Sequence, residues 1–292
     1  MKKLISVLLT LACLLLATAT LASCKSNKVD VKDKEELIEY LKSNPGAKIG
    51  VPNDTTNEAR ALILLEANGI IKLKEGAGIT ATKADIIENP YKVEIVEIEA
   101  AQLPRKLPDL SLAVINSNFA IDAGLNPASD AVVVEGAYSA YSNILAVKEG
   151  NQNTDKIKAL VAALNSKTVA DFIKAEYDGA VLSVVENPGN GFDDSVDYTA
   201  LDGTKITVAA SPTPHAEILE KAKEILAQKG IVLDIKSFTD YVQPNEVVEA
   251  GECDANYFQH APYLTDFNAE KGTHIVSVAS IHVEPMGLYC NK

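Results

Sequence analysis

The 292-residue sequence lacks the short motifs by which common catalytic sites are found. It has no H-E-x-x-H zinc motif, no G-x-S-x-G nucleophile turn and no phosphate-binding G-x-x-x-x-G-K or G-x-G-x-x-G run. A metal centre needs two or more ligands at a workable spacing, but His215 and His260 lie far apart in the chain. We therefore expect neither an enzyme nor a resident metal or other cofactor.

Basic residues and cysteines are also few. The chain has 27 Lys and Arg against 40 Asp and Glu, a formal net charge of −13, so we expect no nucleic-acid partner. None of the 4 cysteines lies in a C-x-x-C pair. Cys253 and Cys290 can form a disulfide outside the cytoplasm or remain as free, half-buried thiols, and the sequence leaves both possibilities open.

The N-terminal segment, MKKLISVLLTLACLLLATATLASC, begins with two lysines, continues as an apolar run and ends in small residues. This order predicts a secretory signal peptide over residues 1–23. The Leu-Ala-Ser-Cys ending resembles the lipobox of bacterial lipoproteins, in which the cysteine is acylated. We therefore expect a lipid on Cys24, a tether over residues 24–30, and a protein held on the extracytoplasmic face of the cell membrane.

After the tether, strand-like and helix-like segments alternate. AKIGVPND, LSLAVINSN, NILAVKEG and GTKITVAASPTPH are typical of buried strands that enter loops, whereas TTNEARALILLEANG and HAEILEKAKEILAQKG have helical spacing. Thr55 and Glu58 have the spacing of a helix capping box. The alternation predicts an α/β fold with largely parallel sheets. Residues 186–203, ENPGNGFDDSVDYTALDG, have little aliphatic periodicity and are predicted to be a solvated, flexible linker.

Aromatic residues make up only 5% of the chain, yet several gather in CDANYFQHAPYLTDF, residues 253–267. Aromatic and hydrogen-bonding groups together are typical of a pocket for a small amphipathic molecule. The same stretch is also compatible with a strand, a turn and a helix in which Phe258 is core and His260 a satisfied, partly buried histidine. The stretch alone does not separate the two interpretations.

Longer motifs carry a family resemblance. DANYFQHAPYL, IHVEPMGLY, VPNDTTNEARALILLEANG, IEAAQLPRKL and AVINSNFAIDAGL resemble the methionine-binding lipoproteins of the NlpA/MetQ type, the substrate-binding components of ABC importers. The resemblance implies a two-lobed periplasmic-binding-protein fold of type II. It also implies an amino-acid ligand in the cleft, most of all L-methionine, and delivery to a permease and ATPase complex in the membrane.

The order of these motifs differs from that of the family, whose members begin with the strand carried here by KITVAASPTPHAEIL and end near YDGAV. The chain is therefore predicted to be a circular permutant in which residues 186–203 join the family's original ends. Lys292 is then expected near residues 29–31. Residues 31–135 would form one lobe and residues 136–292 the other, with one of the two usual interlobe connections cut and with looser hinge motion.

The resemblance also implies which residues contact the ligand, namely Arg60, Asn116, Asn143, Tyr241, Phe258, His260 and Tyr263. Arg60, near the start of a helix predicted to be capped by Thr55, would bind the carboxylate. Asn116 and Asn143 would hold the zwitterion, and the aromatic residues would enclose the thioether. His260 would pack or donate a hydrogen bond.

The sequence departs from the family at Ala140, where proline is common, and at residues 117–119, so the resemblance does not fix the hinge contacts or the exact specificity. Three alternatives therefore stay open. The protein can be a receptor for another small amino acid or a dipeptide, a receptor for a metal ion, or a surface lipoprotein or adhesin without a role in transport.

Overall fold

The computed structural model describes residues 28–136 and 141–291. The predicted signal peptide, Cys24 and Ala140 lie outside these ranges. Within them, no helix has the length and apolar character needed to cross a bilayer.

The strands are β1 (Lys48–Pro52), β2 (Lys72–Leu73), β3 (Ile86–Glu88), β4 (Glu94–Ile98), β5 (Leu112–Ile115), β6 (Val133–Val134), β7 (Asn143–Lys148), β8 (Leu182–Ser183), β9 (Lys205–Ala210), β10 (Val232–Ser237), β11 (Ala255–His260), β12 (Ile275–Val283) and β13 (Gly287–Cys290). The α-helices are α1 (Lys34–Ser43), α2 (Thr55–Ala67), α3 (Leu103–Lys106), α4 (Ser117–Asp122), α5 (Asp155–Leu164), α6 (Lys167–Glu176), α7 (Tyr198–Leu201), α8 (Glu217–Ala227), α9 (Gln243–Glu249) and α10 (Ala261–Lys271). The segment Pro212–Ala216, in which Thr213 has extended backbone angles, precedes α8.

Two mixed sheets form the cores of two lobes, which confirms the predicted two-lobed α/β fold. The first sheet has the strand order β4-β1-β5-β13-β6, and the second has the order β10-β9-β11-β7-β12-β8. Each contains three parallel strands in the same arrangement, with the first strand in sequence between the second and the third. In such sheets a ligand binds at the carboxyl ends of the strands, where the order reverses.

The sheets are less parallel than predicted. Strand β7 runs antiparallel to β11 and β12, and β13 runs antiparallel to β5 and β6. Both strands enter their sheet directly from the other lobe. A strand that starts at the cleft runs against neighbours whose carboxyl ends face the cleft, which accounts for the antiparallel pairs.

The predicted boundary of the second lobe is wrong at its C-terminal end. Residues 287–290 form β13 of the first sheet, so the chain passes between lobes near Glu284-Pro285 as well as between β6 and β7. Both connections are present, and the predicted loss of one connection, on which the expectation of looser hinge motion rested, is also wrong. The sequence did not indicate this crossing, because the segments before and after it, β12 and β13, are both strands.

Residues 186–203 do not form the predicted solvated linker. Val196 and Leu201 are buried in the core of the second lobe, and Phe192 packs against the same core. Asp197 caps α7 by accepting hydrogen bonds from two backbone N–H groups, and the Lys167 N–H donates to the Gly189 carbonyl at 2.8 Å. Three well-spaced apolar side chains are enough to fix a segment that has no aliphatic periodicity.

The two ends of the described chain meet in the first lobe. The Val29 N–H donates to the Asn291 carbonyl at 2.6 Å, and the Cys290 thiol lies 3.4 Å from the Val31 carbonyl. Lys292 itself lies outside the described residues, but its neighbour is where the sequence predicts. Cys253 and Cys290 are both buried and free.

Candidate functional site

A small cavity lies between the lobes, at the carboxyl ends of β5 and β11. Its volume is about 20 Å³, room for one or two water-sized spheres. It is lined by Asn57, Arg60, Asn116, Ser117, Asn118, Asn143, Tyr241, Phe258, Gln259, His260, Tyr263 and Glu284. All seven residues predicted from the sequence are in this lining. The lobes close tightly here, so an amino acid can enter only when they separate or lining side chains move.

The cavity is organised from the start of α2. Asp54, and not Thr55 as predicted, caps this helix, because its carboxylate accepts from the Asn57 N–H at 3.1 Å and from the Asn57 side-chain amide at 2.8 Å. These bonds fix the Asn57 amide with its oxygen toward the cavity. That oxygen then accepts from Asn116 Nδ2 at 2.9 Å and contacts His260 Nε2 at 3.3 Å.

His260 is a neutral hydrogen-bond donor. It ends β11 and caps α10, where its Nδ1 accepts from the Tyr263 N–H at 3.2 Å. The proton must therefore reside on Nε2, which faces the oxygen of Asn57. Burial, with a smaller contribution from the charge of Arg60, lowers the pKa of His260 to about 3. At neutral pH the uncharged imidazole therefore lines the cavity and donates a hydrogen bond through Nε2.

Asn116 presents an unpaired acceptor. Because its Nδ2 donates to Asn57, its Oδ1 is directed elsewhere, and this buried oxygen has no hydrogen-bond partner among the described residues. Only 6% of Asn116 is exposed. A buried carbonyl oxygen without a donor is costly, so this position favours a ligand that brings an N–H group.

Arg60 is held by an internal carboxylate, which the sequence analysis did not predict. Its Nε lies 2.8 and 2.9 Å from the two carboxylate oxygens of Glu135, and its Nη2 lies 2.5 Å from one of them. Nη2 also donates to the Glu284 carbonyl at 2.8 Å. The guanidinium carbon lies 4.6 Å from the centre of the Tyr141 ring, which is a cation–π distance.

Tyr241 joins the aromatic walls of the two lobes. Its ring centre lies 4.9 Å from that of Phe119 in the first lobe and 5.9 Å from those of Phe258 and Tyr263 in the second. Its hydroxyl donates to Asn118 Oδ1 at 2.6 Å, and the Tyr263 hydroxyl donates to the Tyr241 carbonyl at 2.8 Å. The polar tips are thus satisfied while the ring faces form an apolar surface.

A buried cluster of His215, His282 and Glu284 adjoins the cavity. Oε1 of Glu284 lies 2.7 Å from His282 Nε2 and 3.3 Å from His215 Nε2, and His215 Nε2 lies 2.9 Å from Asn143 Oδ1. Burial lowers the pKa of both histidines to about 3 and raises the pKa of Glu284. One ligand atom from each of the three residues lies within 4.8 Å of the others, so the cluster has a donor set that can hold a metal ion.

Several lining residues were missed from the sequence. Asn57 lies one helical turn before Arg60, on the same face of α2, and this spacing is a signal that sequence reasoning can use. Glu284 gave no such signal, because it lies 69 residues after His215 in the chain and meets it only when the second lobe folds.

Comparison with known proteins identifies the family. The sequence model of the NlpA lipoprotein family matches residues 33–185 and 206–292. An outer membrane lipoprotein 3 of Mannheimia haemolytica is 46% identical over 137 residues, which is 47% of this chain and 52% of the relative. A D-methionine-binding lipoprotein MetQ of Yersinia pestis is 41% identical over 154 residues, 52% of this chain and 55% of the relative.

A solved structure, a nutrient-binding protein from Burkholderia cenocepacia bound to methionine, is 48% identical with a TM-score of 0.45 and covers 46% of this chain and 57% of its own. The chain spans about half the length of the curated relatives that it matches. The family match itself extends over most of the sequence, in two segments separated by residues 186–205. The chain belongs to the NlpA lipoprotein family.

Proposed function

We propose that this protein is the substrate-binding lipoprotein of an ABC importer, which captures a free amino acid, most of all L-methionine, and delivers it to a membrane permease and ATPase complex. The observation that carries the proposal is the unpaired, buried Oδ1 of Asn116 beside Arg60 and an aromatic wall. The matched relative in Yersinia pestis is named for binding D-methionine, which supports the same ligand class.

Each part of methionine has a partner of suitable chemistry. The ammonium group can donate to Asn116 Oδ1, and the carboxylate can accept from Arg60, while Asn143 lines the same cavity. The thioether suits the faces of Phe258, Tyr241 and Tyr263, because sulfur–aromatic contacts contribute about 0.3–1.5 kcal/mol each. None of these roles requires bond making, so the protein acts as a receptor and not as an enzyme.

We further propose that Cys24 carries the lipid anchor and that the protein is held on the extracytoplasmic face of the membrane. The family is one of lipoproteins, and the Leu-Ala-Ser-Cys sequence stands where such an anchor is attached. The described chain begins at Lys28, four residues after this cysteine.

Calorimetric titration of the unlipidated mature chain tests the ligand. After unfolding and refolding to remove carried-over ligand, L-methionine is expected to bind 1:1 with micromolar or tighter affinity, and more tightly than D-methionine or leucine. A preference for D-methionine, another amino acid or a dipeptide would correct the specificity. A response to Zn²⁺ that a chelator abolishes would favour a metal receptor at the His215 cluster. Silence from folded protein towards all of these would favour an adhesin.

We also propose that the chain is a circular permutant of the family fold. The contact between Val29 and Asn291 supports this arrangement, because it leaves the two ends of the described chain hydrogen-bonded to each other in one lobe. The break between the two matched segments at residues 186–205 also fits, since this is the stretch predicted to join the family's original ends. The junction lies outside both sheets and needs no rearrangement of either core.

A reordered variant tests the permutation. It begins at Pro188, runs to Lys292, continues through a short Gly-Ser linker to Lys28 and ends at Asn187. We expect it to unfold cooperatively and to bind the same ligand within a few-fold, because the new ends lie in an exposed stretch. A matched control that opens the chain inside β7 should not fold. Failure of the first variant to fold would contradict the proposal.

A further inference from the structure

The pair formed by Arg60 and Glu135 holds the arginine from one side only. Glu135 contacts Nε and Nη2, and the remaining Nη2 contact is with the Glu284 carbonyl. Among the described residues, no hydrogen bond involves the third guanidinium nitrogen, Nη1. Since Arg60 lines the cavity, Nη1 and its two N–H groups are the part of the side chain left for a ligand.

Glu135 is itself fixed by a second contact. Its Oε2 accepts from the Met286 N–H at 3.1 Å. Residue 135 precedes the first crossing between the lobes, and Met286 lies in the second. Arg60 touches the same second crossing through the Glu284 carbonyl. The Arg60–Glu135 pair therefore links both interlobe connections to the lining of the cavity.

Two roles for Glu135 are conceivable and have opposite consequences. As a competitor, it would have to leave Arg60 whenever a ligand carboxylate arrived. The side chains of Arg60 and Glu135 are only 6% and 9% exposed, and such a departure would leave a buried carboxylate without its cationic partner. Binding at Nη1 leaves the pair intact and avoids this cost.

We propose that Glu135 is a positioning residue, which orients Arg60 so that Nη1 meets the carboxylate of the bound amino acid while the pair stays tied to both crossings. This role rests on the proposed function. The ligand carboxylate then binds an arginine whose orientation is fixed by contacts to both interlobe connections. Closure of the lobes and binding of the carboxylate therefore depend on the same contacts.

The test compares L-methionine with L-methioninamide, which lacks the carboxylate, in calorimetric titrations of two variants. Glu135→Gln removes the charge and one acceptor but keeps the shape, so Arg60 loses its fixed orientation. We expect methionine to bind at least about 10-fold more weakly, whereas the amide changes little, so the preference for the carboxylate shrinks. Glu88→Gln, in the exposed Lys72–Glu88 pair, is the matched control and should change neither.

Glu135→Asp serves as a second variant, because Glu135→Gln leaves Arg60 buried without a counter-charge and can impair folding. It keeps the charge on a shorter side chain, and we expect an intermediate loss of preference. Tighter methionine binding in either variant would show a competitor, and equal weakening of both ligands would show a purely structural role. Either result overturns the proposal while the proposed function stands. Absence of binding to the wild type would instead overturn the proposed function and this role with it.

Discussion

Replacing Arg60 by alanine is expected to abolish measurable binding of methionine and to lower the free energy of unfolding by about 3–5 kcal/mol. The loss of binding follows because the ligand carboxylate would be desolvated without its cationic donor. The loss of stability follows because Glu135 stays buried without the guanidinium that lies 2.5–2.9 Å away. Calorimetry measures the first effect and urea unfolding the second.

The double variant Arg60→Met/Glu135→Gln separates these effects. Removing both charges together avoids an unpaired buried ion, and replacing a buried pair by neutral side chains is often close to neutral for stability. We expect it to recover most of the stability lost by Arg60→Ala and to remain unable to bind methionine. Near-native affinity in Arg60→Ala or in the double variant would refute the role of Arg60.

Acid is expected to destabilise the protein strongly below about pH 6.5. His215, His260 and His282 are buried, and burial lowers the pKa of each to about 3. The unfolded chain binds a proton on each histidine near pH 6.5, but the folded chain does not, so stability falls as the pH falls. Each histidine contributes about 1.4 kcal/mol per pH unit, which together amounts to several kcal/mol between pH 7 and pH 5.

Urea unfolding at pH 7, 6 and 5 checks this slope. Asp54 and Glu284 act in the opposite direction, because burial raises the pKa of both carboxyl groups and the folded chain takes up their protons before the unfolded chain does as the pH falls. His260→Gln keeps a donor near Asn57 and should reduce the slope by about a third, since it removes one of three such groups. His274→Gln, at an exposed side chain, should leave the slope unchanged. A free energy of unfolding of the wild type that does not change between pH 7 and pH 5 would contradict the prediction.

The elements of this fold follow from local patterns in the sequence. β1, β5 and β9 were predicted because each is a short apolar run that ends in polar loop residues, and α2 and α8 because their apolar residues repeat at helical spacing. The stretch 253–267 contains a strand and the start of a helix, and its Phe258, His260 and Tyr263 also line the cavity. That this cavity holds a small molecule stays a prediction. Residue spacing within one element is enough for such predictions.

What the sequence did not predict depends on contacts between distant segments. Arg60 and Glu135 are 75 residues apart, and no local pattern indicates that they pair. The passage of the chain back to the first lobe at Pro285 has the same origin, because β12 and β13 are equally apolar and only the sheet they join distinguishes them. The cap of α2 was off by one residue, since Asp54 and Thr55 are both good capping residues.

Val29 lies beside Asn291 in the first lobe, so a lipid anchor on Cys24 would attach this lobe to the membrane. Only four residues lie between Cys24 and Val29, so the two Cα atoms can be at most about 17–18 Å apart even when the chain is fully extended. With a lipid on Cys24, the lobe built on β1 and β5 is held close to the bilayer surface. The lobe built on β9 and β11 is then the one that moves relative to the membrane when the cleft opens and closes. If the chain is a circular permutant as proposed, a relative that begins with the strand equivalent to β9 would carry its lipid on the other lobe, and the two lobes would exchange these roles without a change in either sheet.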